Sequence, residues 1–330
     1  MEEKLSSAVA RHLGPPGTVA RLTRLTGGAT RATWSFEAAV GDRVLPLIVQ
    51  QSAPRVMRAD DPTARLPRVW GEGDARVLIA AERAGVRVAP LRFALAPGDG
   101  MGPGVVSDLV PGETIGQRII REPRFASARD MLAAQCGENL AAIHRIDASG
   151  MDFLIRHGPA EQVALYAEIF RSYDWPQPAI EYGLRWAAEH APRRHATGFV
   201  HGDFRLGNLI VGEDGLRAVL DWEIAHLGDP MEDLGWLCVR TWRFGGRAPV
   251  GGFGRREDLF AAYEQAGGRR VDPEHVRFWE AFGSVKWSIM CLMKGQQHTR
   301  GSPRDMEQLA IGRRAEEPLW DFLQLAAGRG

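Results

Sequence analysis

The chain has 330 residues, 45% of them hydrophobic, which is ample for a large core and more than most single compact cores hold, so one or two lobes are expected. Formal net charge is zero with an isoelectric point near 7.1 and no basic stripe, which argues against nucleic acid or an anionic membrane as a partner. No apolar run approaches the roughly 18 residues that cross a bilayer, and Met1–Gly14 is charged and amphipathic rather than a leader, so a cytoplasmic protein is expected. Of the 41 basic residues only three are lysine, Lys4, Lys286 and Lys294. A composition bias accounts for the split, but it leaves no lysine between Lys4 and Lys286. The three cysteines, Cys136, Cys238 and Cys291, are too far apart for a disulfide framework or a zinc spacing and read as buried small hydrophobes.

Residues 4–13 predict a short helix that stops at Gly14-Pro15-Pro16. From Val19 to Val49 the pattern is strand-like. Thr33 to Glu37 alternates, Gly41-Asp42 marks a turn, and Val44 to Val49 is a second apolar run. Residues 52–73, rich in Pro, Arg, Asp and Gly, read as a loop with one helical turn. Asp74 to Ala84 reads as a helix closed by Gly85. Val86–Ala89, Leu91–Ala96 and Gly104–Val110 are short apolar segments that complete a small, mostly antiparallel sheet. After Pro111-Gly112 the character changes. Helical spacing marks residues 126–146, 160–172 and 178–190, short strands bracket Phe199 to Asp221, and helices dominate from Asp233 onward. The expected fold is α+β and bilobal. A small β-rich lobe is expected over residues 1–106, a crossing at 107–112, and a large helical lobe over 113–330.

The stretch Val200 to Trp236 carries the chemistry. Asp203, Asn208 and Asp221 are polar residues embedded in apolar surroundings. Asp214-Gly215 is a two-residue hairpin signal. Counting outward from it pairs Val211 with Ala218 and Asn208 with Asp221, roughly 5 Å apart at Cβ. One Asp, one Asn and phosphate oxygens suit a hard cation such as magnesium. Asp203 precedes Asn208 by five residues, the spacing of a kinase catalytic loop, in which the Asp accepts the substrate hydroxyl proton and the Asn holds a magnesium ion.

His201-Gly202-Asp203-Phe204-Arg205-Leu206-Gly207-Asn208, then Leu220-Asp221-Trp222-Glu223 and Gly228-Asp229-Pro230 with Asp233-Leu234, resemble the aminoglycoside phosphotransferase and choline kinase-like superfamily. The nearest likeness is to the phosphotransferase domain of acyl-CoA dehydrogenase family members 10 and 11 and bacterial stand-alone relatives. The resemblance implies a bilobal protein kinase-like fold, Asp203 as catalytic base, Asn208 and Asp221 as magnesium ligands, and His201 as a brace of the loop. It implies that Asp229 and Asp233 are buried carboxylates that hold the loop and cap the next helix. It also implies that Gly27, Gly28 and Thr30 lie in a turn over the nucleotide phosphates, and that Ser107, Asp108 and Val110 form the hinge that meets the adenine edge. Arg205 and Glu223 are accessory candidates, Glu223 standing equally for a surface charge.

One departure stands out. The family places Lys or Arg on the third strand, paired with a helix Glu. The matching positions here are Gln50 and Asp74. Either an arginine such as Arg31 or Arg55 substitutes, or nucleotide binding is altered. The expected function is a kinase using ATP or GTP with magnesium on a hydroxyl of a small molecule. Its relatives imply a hydroxylated acid or acyl thioester, a sugar-like alcohol or an amino alcohol, and the arginine-rich stretches favour an anionic acceptor. The rivals are a pseudokinase-like scaffold that has lost the anchor and a nucleotidyl transferase on the same fold.

Overall fold

The computed structural model describes residues 1–25, 31–52, 60–173, 175–300 and 306–329, the last four residues before 301 by backbone alone. Gly14 ends α1 (Glu2–Leu13), and the chain enters a meander of β1 (Pro16–Arg24), β2 (Arg31–Val40) and β3 (Arg43–Ser52). Val40 opposes Arg43 across the Gly41-Asp42 turn. A 3-10 turn at Pro62–Arg65 precedes α2 (Glu72–Arg83), and β4 (Leu91–Ala94) and β5 (Gly104–Asp108) complete an antiparallel sheet of order β1-β2-β3-β5-β4. Successive side chains of a strand point to opposite faces. On β3, Leu47 and Val49 enter a core shared with Leu5, Ala8 and Val9 of α1. Ile48, Gln50 and Ser52 therefore look the other way.

The second lobe is helical. α3 (Gly116–Arg121) and α4 (Ala126–Ile143) lead to α5 (Pro159–Arg171) and α6 (Pro178–His190), both with proline in the first turn, where its missing N–H costs nothing. Two small ladders follow. β6 (Gly198–Val200) pairs with β9 (His226–Gly228), and β7 (Leu209–Gly212) with β8 (Gly215–Val219). α7 (Met231–Cys238), α8 (Arg256–Gln265), α9 (Pro273–Arg300), α10 (Met306–Gly312) and α11 (Glu316–Ala326) complete the chain. Apolar residues of α3 to α9 and of α11 build one large core, which also takes in Val77 and Ala81 of α2. Among the described residues no helix is long and apolar enough to cross a membrane.

Two expectations are corrected. Val86–Ala89 joins no strand, because Val86 enters the helical lobe's core and Arg87 is tethered to it. The Arg87 N–H donates to Asn139 Oδ1 of α4 at 2.9 Å, and its carbonyl accepts the Val219 N–H of β8 at 2.8 Å. The β7–β8 register also differs. Gly212 opposes Gly215, Ile210 opposes Ala218, and Leu209 opposes Val219. A turn with both central residues at positive φ would need Asp214 there, but only Gly215, at φ 109°, adopts it. The turn is therefore Glu213-Asp214, with Gly215 in the bulge that follows such a turn. A further shift between Ile210 and Val211 leaves Asn208 opposite Leu220 rather than Asp221, with the Leu220 N–H donating to the Asn208 carbonyl at 2.8 Å.

Candidate active site

The loop between β6 and β7 is held by α7 from beneath. Asp233, fully buried in the first turn of α7, accepts the His201 N–H at 2.8 Å and the Gly202 N–H at 2.9 Å, and its Oδ2 also lies 3.2 Å from His144 Nε2. Asp229, just before the helix, accepts the Met231 N–H at 3.1 Å and the Trp279 indole N–H at 2.8 Å. These backbone donors would otherwise be buried without partners. His201 braces the other side. Its Nδ1 accepts the Asp203 N–H at 3.2 Å, so the ring proton sits on Nε2, which donates to the Leu220 carbonyl at 3.0 Å. Burial lowers the His201 pKa and keeps the ring neutral.

Asp203 is the hub of the loop. Its Oδ1 accepts the Trp236 indole N–H at 2.8 Å and Arg205 Nε at 2.9 Å, and its Oδ2 accepts Asn208 Nδ2 at 2.7 Å. A carboxylate with three donors has one orientation, which is what positioning a hydroxyl in line requires. Trp236 is not among the site candidates that the sequence offered. The available signal was its spacing. Residues three apart share a helix face, so Asp233 holds the loop backbone and Trp236, almost one turn on, holds the side chain.

Asp221 follows Leu220 in a left-handed conformation, φ 62°, which Asp tolerates better than most residues. Burial, and then the nearby Glu223 and Asp203 carboxylates, push its pKa up to about 7. The structure thus brings Asp203, Asn208, Asp221 and Glu223 together, and Glu223 is no solitary surface charge. Its Oε2 stands 3.7 Å from Arg31 Nε, and its carbonyl accepts the Val69 N–H.

Arg31, one of the two arginines offered as a substitute, supplies the cation that pairs with the α2 carboxylate. It lies on β2 with its side chain 11% exposed and donates to Asp74 Oδ1 on α2 at 2.8 Å. Ser52 Oγ donates to the other Asp74 oxygen at 3.1 Å. Burial raises the Asp74 pKa despite these partners. Gln50 is thus not the partner of the α2 carboxylate. It shares a strand face with Ser52, two residues along, while an arginine from the neighbouring strand completes the ion pair. Gly27, Gly28 and Thr30, and Arg55, lie outside the described residues.

In the segment expected to form the hinge, Ser107 is buried in the ladder, opposite Ile48 and Leu91. The Asp108 N–H donates to the Pro90 carbonyl and the Leu109 N–H to the Pro46 carbonyl, both at 3.0 Å, while the Asp108 carboxylate pairs with Arg92. Of the backbone N–H groups from 108 to 110, only that of Val110 donates to no backbone carbonyl among the described residues.

Residues 21–279 match the model of the phosphotransferase enzyme family. The chain belongs to that family. A stretch of 120 residues is 35% identical to acyl-CoA dehydrogenase family member 10 of Mus musculus, which covers 34% of this chain but only 11% of that much longer protein. A candidate aminoglycoside phosphotransferase from Ralstonia eutropha JMP134 superposes with a TM-score of 0.74 at 22% identity, over 99% of this chain and 98% of that one. Spectinomycin phosphotransferase, in complex with ADP and spectinomycin, superposes with a TM-score of 0.63 at 14% identity, over 98% and 99%. At such identities the structural likeness establishes the bilobal kinase-like fold.

Proposed function

We propose that this phosphotransferase family member moves the γ-phosphoryl group of ATP, or GTP, onto a hydroxyl of a small molecule. The observation that carries the reading is the Asp203 carboxylate, fixed by Trp236, Arg205 and Asn208 beside the half-buried Asp221. Asp203 orients the acceptor hydroxyl and takes its proton as the oxygen–phosphorus bond forms and the bond from phosphorus to the β-phosphate oxygen breaks, releasing the nucleoside diphosphate. The ADP in the spectinomycin phosphotransferase complex, a protein of the same fold, supports a nucleotide site here. That site would lie between residues 1–106 and 113–330, with 107–112 as hinge, the Val110 N–H facing the base and the turn carrying Gly27, Gly28 and Thr30 over the phosphates.

The donor set fits magnesium. Burial among carboxylates that lifts Asp221 to about 7 signals negative charge awaiting a cation. Among the described residues no three acidic, imidazole or thiol side chains could hold a metal alone, which suits an ion that keeps waters and shares phosphate oxygens. Asn208 and Asp221 would hold it, and when bound it would neutralise charge developing on the phosphoryl oxygens.

The uncharged Gln50 favours one rival, a nucleotide-binding scaffold without turnover. Incubation with Mg-ATP or Mg-GTP and a panel of alcohols, followed by mass spectrometry, separates the readings. A kinase adds one phosphate to the acceptor, a nucleotidyl transferase adds a whole nucleotide, and nucleotide-dependent stabilisation without any product supports the scaffold.

A further inference from the structure

Of the 41 basic residues only three are lysine, and one of the three is buried. Lys4 is exposed and Lys294 half-buried, but Lys286 of α9 is 5% exposed. Its Nζ donates to Glu232 Oε1 of α7 at 2.9 Å. It also lies 5.2 Å from the Trp236 ring centroid and 5.5 Å from that of Tyr166 on α5. Burial would lower the Lys286 pKa, but Glu232 outweighs burial and raises it, so the ammonium persists. The Asp203 carboxylate acts on it in the same direction.

Helical spacing explains the alignment. Glu232 and Trp236 stand four apart on one face of α7, so a single cation from α9 meets both. Gly283 stands three residues before Lys286, on the same face of α9, and leaves room for the indole. A Cβ there would lie 3.2 Å from Trp236 Cε3. Trp242 closes another side, with ring centroids 5.3 Å apart. The indole enclosed in this way donates its N–H to Asp203 Oδ1 at 2.8 Å.

Stability alone does not call for this lysine. An ion pair taken out of water can often be replaced by apolar groups of like volume without loss. What an apolar side chain could not do is face the indole with a positive charge. A cation over an indole is attracted by the ring and holds its plane. In a low-dielectric site it also polarises the N–H into a better donor. A guanidinium, the cation this chain uses almost everywhere else, is planar and broad, whereas an ammonium is a compact point charge that fits between two rings. We propose that Lys286 is a positioning residue for phosphoryl transfer: clamped by Glu232, its ammonium fixes the Trp236 indole, and the indole N–H fixes Asp203. The role rests on the phosphotransferase reading, and Lys286 acts through Trp236 and Asp203 rather than on the reacting atoms.

Lys286→Met with Glu232→Gln removes the pair without stranding a charge, and Lys286→Gln with Glu232→Gln is a second neutral pair. Both should fold, with thermal melts close to that of the native chain. The first readout is the Trp236 indole N–H signal by NMR of isotopically labelled protein, assigned by its loss in Trp236→Phe. In the neutral pairs it should move upfield and exchange with solvent about tenfold faster. The Trp279 indole, which donates to Asp229 beside the same α7–α9 junction, is the control and should not change. Turnover is read on Mg-ATP, with water, or an alcohol of the panel above that gains phosphate, as acceptor. Its kcat should fall about tenfold with the KM for ATP unchanged. In a Trp236→Phe background the neutral pair should add nothing to the loss, because Lys286 acts through the indole. An unmoved Trp236 signal, equal movement of Trp236 and Trp279, a loss carried by KM, full additivity with Trp236→Phe, or failure of both pairs to fold would overturn the proposal. If the native chain turns over and kcat ignores the pair, this inference alone fails. If the native chain releases no phosphate and phosphorylates no alcohol, the phosphotransferase reading fails, and the Trp236 signal still decides whether Lys286 holds the indole.

Discussion

Asp203 and Asp221 lie close together and should fail in different ways when removed. Asp203 is held by three donors and is placed to act on an acceptor. Asp203→Ala should lower turnover by about two to four orders of magnitude and leave nucleotide affinity nearly intact, the signature of an orienting base. Asp221→Ala should instead abolish magnesium-dependent nucleotide binding. Stopped-flow nucleotide binding beside steady-state turnover checks both, and loss of nucleotide binding in Asp203→Ala would give Asp203 a different role. These two residues were legible because Asp203 and Asn208 sit five apart in one loop and Asp221 ends the next hairpin. Their exact register was not. It turns on Asp214 declining positive φ, a one-residue matter that moves Asn208 from opposite Asp221 to opposite Leu220. Trp236 was illegible as a site residue for another reason. Its bond to Asp203 spans 33 positions and exists only because α7 packs under the loop.

At the scale of elements, α5, α7, α9 and β9 meet around a buried charge cluster. Lys286 Nζ of α9 donates to Glu232 Oε1 of α7 at 2.9 Å, Gln162 of α5 donates to the same carboxylate, and His226 Nε2 of β9 lies 3.2 Å from it. Lys286 also stands 5.2 Å from the Trp236 ring centroid, on the side chain that holds Asp203. Burial alone would raise the Glu232 pKa, but Lys286 and His226 hold it down at about 2. Burial disfavours protonated His226, yet Glu232 outweighs it and the His226 pKa is raised. The two signs differ. Glu232 contributes stability fully above its ordinary value near 4.5, lost as pH falls toward 2. His226 contributes below its ordinary value near 6.5, lost as pH rises through its elevated one. Glu232→Gln leaves the Lys286 charge uncompensated and should cost about 3–5 kcal/mol. Urea melts from pH 3 to 9 should show the acid-side decline of the native chain flattened in the variant, and parallel curves would mean the cluster is not what stabilises this junction. The helices themselves could be read from apolar spacing. The cluster could not, because a lysine at position 286 reads as solvated until its partner 54 residues away is placed beside it.

Among the described residues two large cores stand out, and Arg31 reaches between the elements built on them. From β2 of the sheet it holds Asp74 of α2, whose Val77 and Ala81 enter the helical lobe's core, and it faces Glu223, two residues past Asp221. In a chain with no lysine between Lys4 and Lys286, this arginine supplies charge that lies near the metal-ligand candidate and lowers the Asp221 pKa against its other neighbours. It does so from a place a strand lysine would not occupy, because Arg differs from Lys in reach and shape. Arg31 is engaged by two carboxylates, so on the proposed reading little of its charge would remain for triphosphate, and backbone N–H groups with magnesium would neutralise the rest. Nucleotide binding should therefore depend steeply on magnesium. Gln50 faces the same side as Ser52 and is uncharged. Gln50→Lys should tighten ATP binding about tenfold, reduce its dependence on magnesium, and retain turnover. Arg31→Met should do the reverse and also lower the melting temperature, because it strips Asp74 of its ion pair. Isothermal titration with ATP across a magnesium series, on the native chain and both variants, measures this directly. If Gln50→Lys leaves affinity and its magnesium dependence unchanged, Gln50 does not face the phosphates. If none of the three proteins binds nucleotide at any magnesium concentration, the kinase reading falls and the scaffold reading takes its place.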